Sequence, residues 1–194
     1  EARNTLAPLF VSLYLNTASF MIYFGEEVGE CGMDEEGFSG RDGRTTIFDW
    51  WSVDSIIRLR KVIESGSYKT LNPDELIKDG MTREEAEVFC RFAEAVRLAS
   101  SDSAIKEGTT YDLCYCNSSS DGFDKDRHFA FLRDHEDHTL LIAANFSNRE
   151  SVMNIIIPEH AFEWMGIPVS DDLYPGKNIT MKLGPMDAKV ITLI

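Results

Sequence analysis

Apolar positions near the start of the chain predict a helix and then a buried strand. Residues 2–15 are apolar nearly all round, which predicts a buried helix in which Pro8 either lies in the first turn or causes a kink. Residues 18–24 (ASFMIYF) form a short continuous apolar run that ends at Gly25, as expected of a parallel strand covered on both faces. A helix, a buried strand and a following loop are typical of an α/β fold.

Helical periodicity returns beyond that loop. Residues 52–64 carry an apolar stripe that predicts a helix, with Ser52 as its N-cap. Thr82 and Glu85 have the spacing of a capping box, and a second periodic helix is predicted from there to Leu98. Residues 65–81, between these helices, are interpreted mostly as connection.

The apolar period changes from 3.6 to 2 after residues 100–103. Turn-forming clusters separate six short alternating segments, which predict an antiparallel β-sandwich. The six predicted strands are residues 111–116, 128–133, 138–146, 152–157, 179–183 and 189–194. The predicted fold class is therefore α/β followed by all-β, with one domain over residues 1–99 and another over residues 100–194.

Composition restricts the possible partners. The formal net charge is −14, which argues against nucleic acid because phosphate binding requires a cationic face. A neutral ligand such as a carbohydrate is compatible with this charge. Polar residues such as Ser12 and Asn16 interrupt the longest apolar stretch, residues 6–24, which is therefore interpreted as protein core rather than a membrane span.

The residues that commonly bind metals show no metal-binding spacing. Cys114 and Cys116 have the pattern C-x-C and are predicted to lie as a buried thiol pair on one strand face. The acidic residues in 121–126 lack the terminal Glu of a calcium-binding loop and predict a solvated hairpin tip. No metal and no cofactor is expected.

Several segments resemble the α-amylase superfamily of glycoside hydrolases. Residues 20–29 (FMIYFGEEVG) resemble the segment that forms the eighth strand of the (β/α)8 barrel and its exit. Residues 32–51 are similar to one bacterial branch of that superfamily. In the second half, residues 129–133 (FAFLR), 140–147 (LLIAANFS) and 179–193 are similar to strands of its C-terminal domain.

The resemblance implies the last αβα of a (β/α)8 barrel followed by an antiparallel C-terminal β-sandwich. The superfamily hydrolyses α-glucosidic bonds with retention, using a carboxylate nucleophile and a carboxylic acid roughly 5 Å apart. A further Asp belongs to an Asn-His-Asp type of motif, yet no His of this sequence follows an Asn. The resemblance thus implies that the catalytic carboxylates lie upstream of this chain, which alone is expected to be inactive.

The loop after the eighth strand is where the resemblance implies contact with substrate. Active sites of such barrels lie at the C-terminal ends of the strands. Asp42, Arg44, Trp50 and Trp51 are therefore candidate binding residues for an α-glucan or maltooligosaccharide in the parent enzyme.

Two alternative roles remain open for the residues of this segment. Glu26 and Glu27 would either face the cleft or brace the loop, and the Trp pair would either bind sugar or pack the eighth helix onto the barrel. Unpaired barrel edges also predict self-association.

A rival hypothesis is a non-catalytic carbohydrate-binding or interaction module in which the β-sandwich is the functional unit. Such a module presents aromatic side chains on an exposed face. Most aromatic residues of the predicted sandwich have sequence contexts typical of core, namely Phe129, Phe131, Phe146 and Phe162. Tyr115, Trp164 and Tyr174 are the possible binding platform, and we expect packing rather than recognition from this domain.

Overall fold

The computed structural model describes residues 4, 6–17, 19–30 and 53–194. Their α-helices are α1 (Leu6–Leu15), α2 (Asp54–Ser65), α3 (Pro73–Lys78), α4 (Arg83–Ser101), α5 (Ser103–Lys106), α6 (Cys114–Asn117) and α7 (Glu159–Met165). Their strands are β1 (Thr109–Asp112), β2 (His128–His135), β3 (His138–Asn145), β4 (Ser151–Ile156), β5 (Asn178–Leu183) and β6 (Asp187–Thr192). The described residues divide into two compact units, one within residues 1–6 and 21–96 and the other within residues 7–20 and 97–194.

The regular structure described in the first unit is helical. Apolar residues of α2, α3 and α4 form its core together with their flanking segments: Val28, Val53, Ile56, Leu59, Val62, Leu76, Met81 and Ala86. The predicted capping box is confirmed, because the Glu85 amide donates to Thr82 Oγ1 at 3.2 Å and the Thr82 amide donates to Glu85 Oε2 at 2.9 Å. Arg58 donates two further bonds to the Glu85 carboxylate at 2.7 and 2.9 Å, which joins α2 to the start of α4.

Two local predictions in this unit need correction. Helix α2 starts at Asp54 with Val53 in the N-cap position, whereas Ser52, the predicted cap, lies outside the described residues. The supposed connection over residues 65–81 contains helix α3. The Asn72 side chain caps α3 by accepting from the Asp74 amide at 3.0 Å, and Pro73 takes the first helical position.

The predicted buried strand over residues 18–24 is not formed in its described part, residues 19–24. Residues 19–24 have no strand structure, and the side chains of residues 20–24 are exposed, Met21 to 80%. A parallel strand needs neighbours for its backbone donors and acceptors, and every strand pair among the described residues is antiparallel. The apolar run alone therefore does not form a barrel strand, because its sequence does not provide the neighbouring strands that would pair with it.

The second unit contains two antiparallel sheets. One has the strand order β1-β2-β3-β6, and the other pairs β4 with β5. Each of the six predicted segments overlaps a strand, but the first is corrected. Strand β1 ends at Asp112, whose Oδ1 accepts from the Cys114 amide at 2.8 Å, and the chain turns into the short helix α6. Cys114 and Cys116 consequently lie on a helical turn rather than on one face of a strand.

Strand β3 is the centre of the larger sheet and is buried on both faces, in keeping with its unbroken apolar sequence. On one face, residues of β2 and β3 join β4, β5 and α7 in a shared core: Ala130, Leu132, Leu141, Ala143, Met153, Ile155, Phe162, Met165, Met181 and Leu183. Because side chains alternate along a strand, Phe131 and Arg133 point to the opposite face.

Arg133 connects that opposite face to two helices. Its guanidinium is buried and donates to the carbonyl oxygens of Ala104 at 2.9 Å, Ile105 at 2.6 Å and Leu15 at 3.2 Å. Leu15 ends α1 and the other two residues belong to α5, so this cation binds carbonyls at the ends of two helices. The Ala104 carbonyl also accepts from the Gly108 amide at 3.2 Å, and the Ile105 carbonyl also accepts from Asn16 Nδ2 at 3.0 Å. Gly108, between α5 and β1, is required for close approach, since a Cβ there would lie 2.5 Å from the Asp134 carbonyl oxygen.

The aromatic residues that were predicted as core have mixed positions. Phe131 and Phe162 are buried, Phe129 is half-buried, and Phe146 is 37% exposed. Beside Phe146, Asn145 is fully buried, and its amide donates to the carbonyl oxygens of Arg149 and Gly184, both at 2.8 Å. Asn145 therefore fixes the turn after β3, while the adjacent Phe does not contribute to the centre of the core.

The chain thus combines helices with antiparallel sheet, which agrees in part with the predicted fold class. The barrel and sandwich assignments, and the domain boundary at residue 99, stay predictions. None of the described helices has the length and apolar character needed to span a membrane.

Candidate functional site

The predicted exit of the eighth barrel strand is a tight turn in the structure. Residues Glu26–Val28 form a single 3-10 turn between Gly25 and Gly29, which both have positive φ angles of 87° and 63°. The Gly25 carbonyl oxygen accepts from the Val28 amide at 3.1 Å and the Glu30 amide at 3.0 Å. A Cβ at residue 25 would lie 2.8 Å from the Glu30 Cβ, so both backbone angle and space require glycine there.

Glu26 stabilises this turn from within. Its Oε2 accepts a hydrogen bond from the Tyr23 amide at 3.1 Å, three residues earlier in the chain. Of the two roles considered for Glu26, the structure therefore favours bracing of the loop. This contact holds the backbone of Tyr23 against the turn that starts at Gly25.

Glu27 lies beside an open, largely apolar cavity of about 400 Å³ within the first unit. The turn and α4 line this cavity with Ile22, Tyr23, Phe24, Glu27, Phe89, Phe92, Ala93 and Val96. Glycoside hydrolysis needs two carboxyl groups on opposite sides of the scissile bond. Among the described residues, Glu27 is the carboxylate in this lining.

The four residues that were predicted to bind substrate, Asp42, Arg44, Trp50 and Trp51, lie outside the described residues. Their assignment stays a prediction. The structure shows the geometry of the turn at residues 25–29, which precede these four residues in the sequence.

The three described cysteines, Cys90, Cys114 and Cys116, have the environment of structural thiols. Burial raises the pKa of Cys114 to about 11 and also raises the pKa values of Cys90 and Cys116. Protonated thiols are poor nucleophiles and poor metal ligands. Within the described ranges, no three His, Cys, Asp or Glu side chains are grouped so that they could hold a metal ion.

Buried polar residues of the second unit serve the fold. Asn117 is fully buried, accepts from the Ile156 amide at 2.8 Å and donates to the carbonyl oxygens of Ile156 at 3.0 Å and Leu113 at 2.8 Å. His128 Nδ1 accepts from the Asp124 amide at 2.9 Å, and its Nε2 lies 2.7 Å from Ser151 Oγ. These contacts satisfy each side chain internally and leave it no open position for a ligand.

Comparison with solved structures shows which known folds this chain is similar to. The structure of AmyP in complex with maltose matches 98% of this chain and 34% of its own chain, with 13% sequence identity and a TM-score of 0.51. The chain shares its fold with part of AmyP. The solved structures it matches are α-amylase-family glycoside hydrolases, and the likeness lies in structure rather than in sequence.

Two further matches have TM-scores of 0.48. The cyclic α-maltosyl-(1→6)-maltose hydrolase from Arthrobacter globiformis is 14% identical, and the match covers 99% of this chain and 30% of that one. The isomaltulose synthase from Klebsiella sp. LX3 is 13% identical, with coverages of 99% and 38%. This chain thus spans about a third of the length of the solved chains it matches. No protein-family model matches the sequence, and no curated protein matches it significantly.

Proposed function

We propose that this chain is the C-terminal portion of an α-glucan-active glycoside hydrolase of the α-amylase type. The observation that carries the proposal is the fold likeness to AmyP, which covers 98% of this chain but only 34% of AmyP. The resemblance of residues 20–29 to the eighth-strand exit supports the same placement independently, because it comes from sequence motif rather than from coordinates.

In this proposal the catalytic carboxylates lie upstream of this chain. Retaining hydrolysis requires a nucleophilic carboxylate and an acid about 5–5.5 Å apart. The Asn-His-Asp type of motif is absent from the sequence, and Glu27 is the one carboxylate that the described residues place at the first-unit cavity. Residues 1–99 would complete the barrel and residues 100–194 would form the β-sandwich that follows it.

The contribution of this chain to the active site would be its loop after Glu30. The brace between Glu26 and the Tyr23 amide sets the start of that loop. Trp50 and Trp51 would offer flat apolar faces to sugar rings, whereas Asp42 and Arg44 would hydrogen-bond to sugar hydroxyls. The proposed ligand is an α-glucan or maltooligosaccharide.

The first test is the activity of the chain alone. The purified chain of 194 residues should release no reducing sugar from starch, pullulan or maltoheptaose, because the carboxylate pair is missing. A mock preparation from the same expression host is the control. Release that co-purifies with the chain through successive columns would contradict the upstream placement of the catalytic residues.

A further inference from the structure

A second pocket lies in the unit formed by residues 7–20 and 97–194, far in sequence from the loop discussed above. It is an open concavity of about 390 Å³ between strand β1 and helices α6 and α7. Its lining combines aromatic and polar side chains: Thr110, Tyr111, Asp112, Tyr115, His160 and Trp164.

Tyr111 forms the centre of this pocket. Its ring is buried, and its hydroxyl oxygen lies 2.6 Å from the Tyr115 hydroxyl and 3.1 Å from His160 Nδ1. The Trp164 ring packs beside it with a centroid distance of 5.8 Å and an interplanar angle of 50°. Burial raises the pKa of the Tyr111 hydroxyl, which therefore stays a protonated donor at neutral pH.

The outer walls of the pocket are large aromatic side chains that face solvent. Tyr115 is 59% exposed and Trp164 is 55% exposed. Helix α7 is already anchored by Ala161, Phe162 and Met165, which are buried in the core. His160 and Trp164 are four residues apart and so share a different face of this helix. Trp164 thus contacts the core only through Tyr111 among its ring contacts, and just over half of its surface stays open to solvent.

Charge defines the class of ligand. None of the six lining residues is Lys or Arg, and Asp112 adds a negative charge in a chain of net charge −14. Phosphate or carboxylate ligands would be repelled. A neutral sugar matches this lining in shape and polarity. The apolar face of its ring would stack on Trp164, and its hydroxyl groups would hydrogen-bond to Asp112, His160 and the Tyr hydroxyls.

We infer that the pocket between β1, α6 and α7 binds a neutral oligosaccharide. The choice of an α-glucan as the ligand rests on the proposed function. The inference that the pocket binds a neutral sugar rests only on the residues that line it. The sequence-based expectation for this domain was packing rather than recognition. It did not foresee that Tyr111 and His160, 49 residues apart, would join Tyr115 and Trp164 around one concavity.

The inference is tested by titrating the full chain with maltoheptaose in a calorimeter. Saturable binding is expected, with affinity reduced at least about tenfold in Trp164→Ala and in Tyr115→Ala and largely restored in Trp164→Phe. The matched control is Tyr68→Ala, since Tyr68 is 37% exposed but does not line the pocket. A second control, Trp50→Ala with Trp51→Ala, separates this site from the loop.

Three results decide the matter. Absence of saturable binding by the unmodified chain overturns the inference, as does binding that is lost in the Trp50/Trp51 variant but kept in Trp164→Ala. Cellohexaose binding that exceeds maltoheptaose binding and depends on Trp164 supports the saccharide site and contradicts the α-glucan ligand. Because no hydrolysis is measured, each of these outcomes is independent of the activity test of the proposed function.

Discussion

Arg133 lies in β2 with its guanidinium beneath the carbonyl ends of α1 and α5. Burial lowers its pKa, and four hydrogen bonds to three carbonyls and the Thr110 hydroxyl compensate for the lost hydration. Sequence similarity identified Arg133 as part of a strand motif. It could not predict the structural role of this side chain, because its hydrogen-bond partners lie up to 118 residues away in the sequence.

We expect Arg133→Lys to destabilise the chain by roughly 2–4 kcal/mol. A Lys ammonium is a compact point donor that cannot reproduce all four directed bonds of the guanidinium, and hydrogen bonds made by a charged group are worth ~1.5–3 kcal/mol each. Urea unfolding followed by circular dichroism measures the effect. Arg127→Lys is the control, since Arg127 is exposed and only 3.9 Å from Asp124, and it should change stability little. Equal effects of the two substitutions would refute the assigned role of Arg133.

His128 gives the fold a pH dependence of known sign. Burial lowers its pKa below the ordinary value of 6.5, although the charge of Asp124 opposes this. The neutral imidazole is favoured in the folded state, so its stabilising effect is complete above pH 6.5 and is lost as the pH falls through the lowered pKa. His138 acts in the opposite sense, because its hydrogen bond to Asp102 raises its pKa.

In His128→Gln, the free energy of unfolding should fall less between pH 7 and pH 5 than in the unmodified chain. Proton NMR titration should give a midpoint below 6.5 for His128 and above 6.5 for His138, which separates the two groups. The account of His128 is wrong if its midpoint lies above 6.5 or if the variant keeps the full pH dependence.

At the scale of helices and strands, the local sequence pattern predicted those elements whose formation depends on local interactions. Alternation and turn clusters located all six strands, and the Thr82–Glu85 spacing located the start of α4. Helix α7 was missed because seven residues are too short to show a period. The run over residues 18–24 was misassigned because a parallel strand depends on neighbours that its own sequence does not contain.

The exposed apolar segment at residues 20–24 should make the chain self-associate. Met21→Lys places a charge at its most exposed position and should weaken association by about tenfold, on the order of 1.4 kcal/mol. Sedimentation velocity over a concentration series measures this. Val169→Lys is the control, because Val169 is 65% exposed but lies outside the segment. A chain that stays monomeric throughout the series would contradict the prediction.

At the scale of the whole molecule, the sequence correctly predicted helices combined with antiparallel sheet, whereas the structure shows which distant residues lie together. The similarity of residues 20–29 and of the strand motifs indicated an α-amylase type of hydrolase, and the fold shared with AmyP agrees with it. The pocket around Tyr111 could not be predicted, since its residues are spread from 110 to 164 and each alone has an ordinary context. Only the pairing of β1 with the larger sheet and the placement of α7 bring them together.

The most direct test of the central proposal uses the polypeptide encoded by the whole reading frame, prepared with and without residues 1–194. Proton NMR of the anomeric signals follows maltooligosaccharide hydrolysis by each form. We predict that the whole polypeptide releases product with retained α-configuration, that the form without these residues is inactive, and that an Asn-His-Asp motif and two carboxylates precede Glu1. A reading frame without those residues, or hydrolysis that is undiminished after removal of residues 1–194, would contradict the proposal.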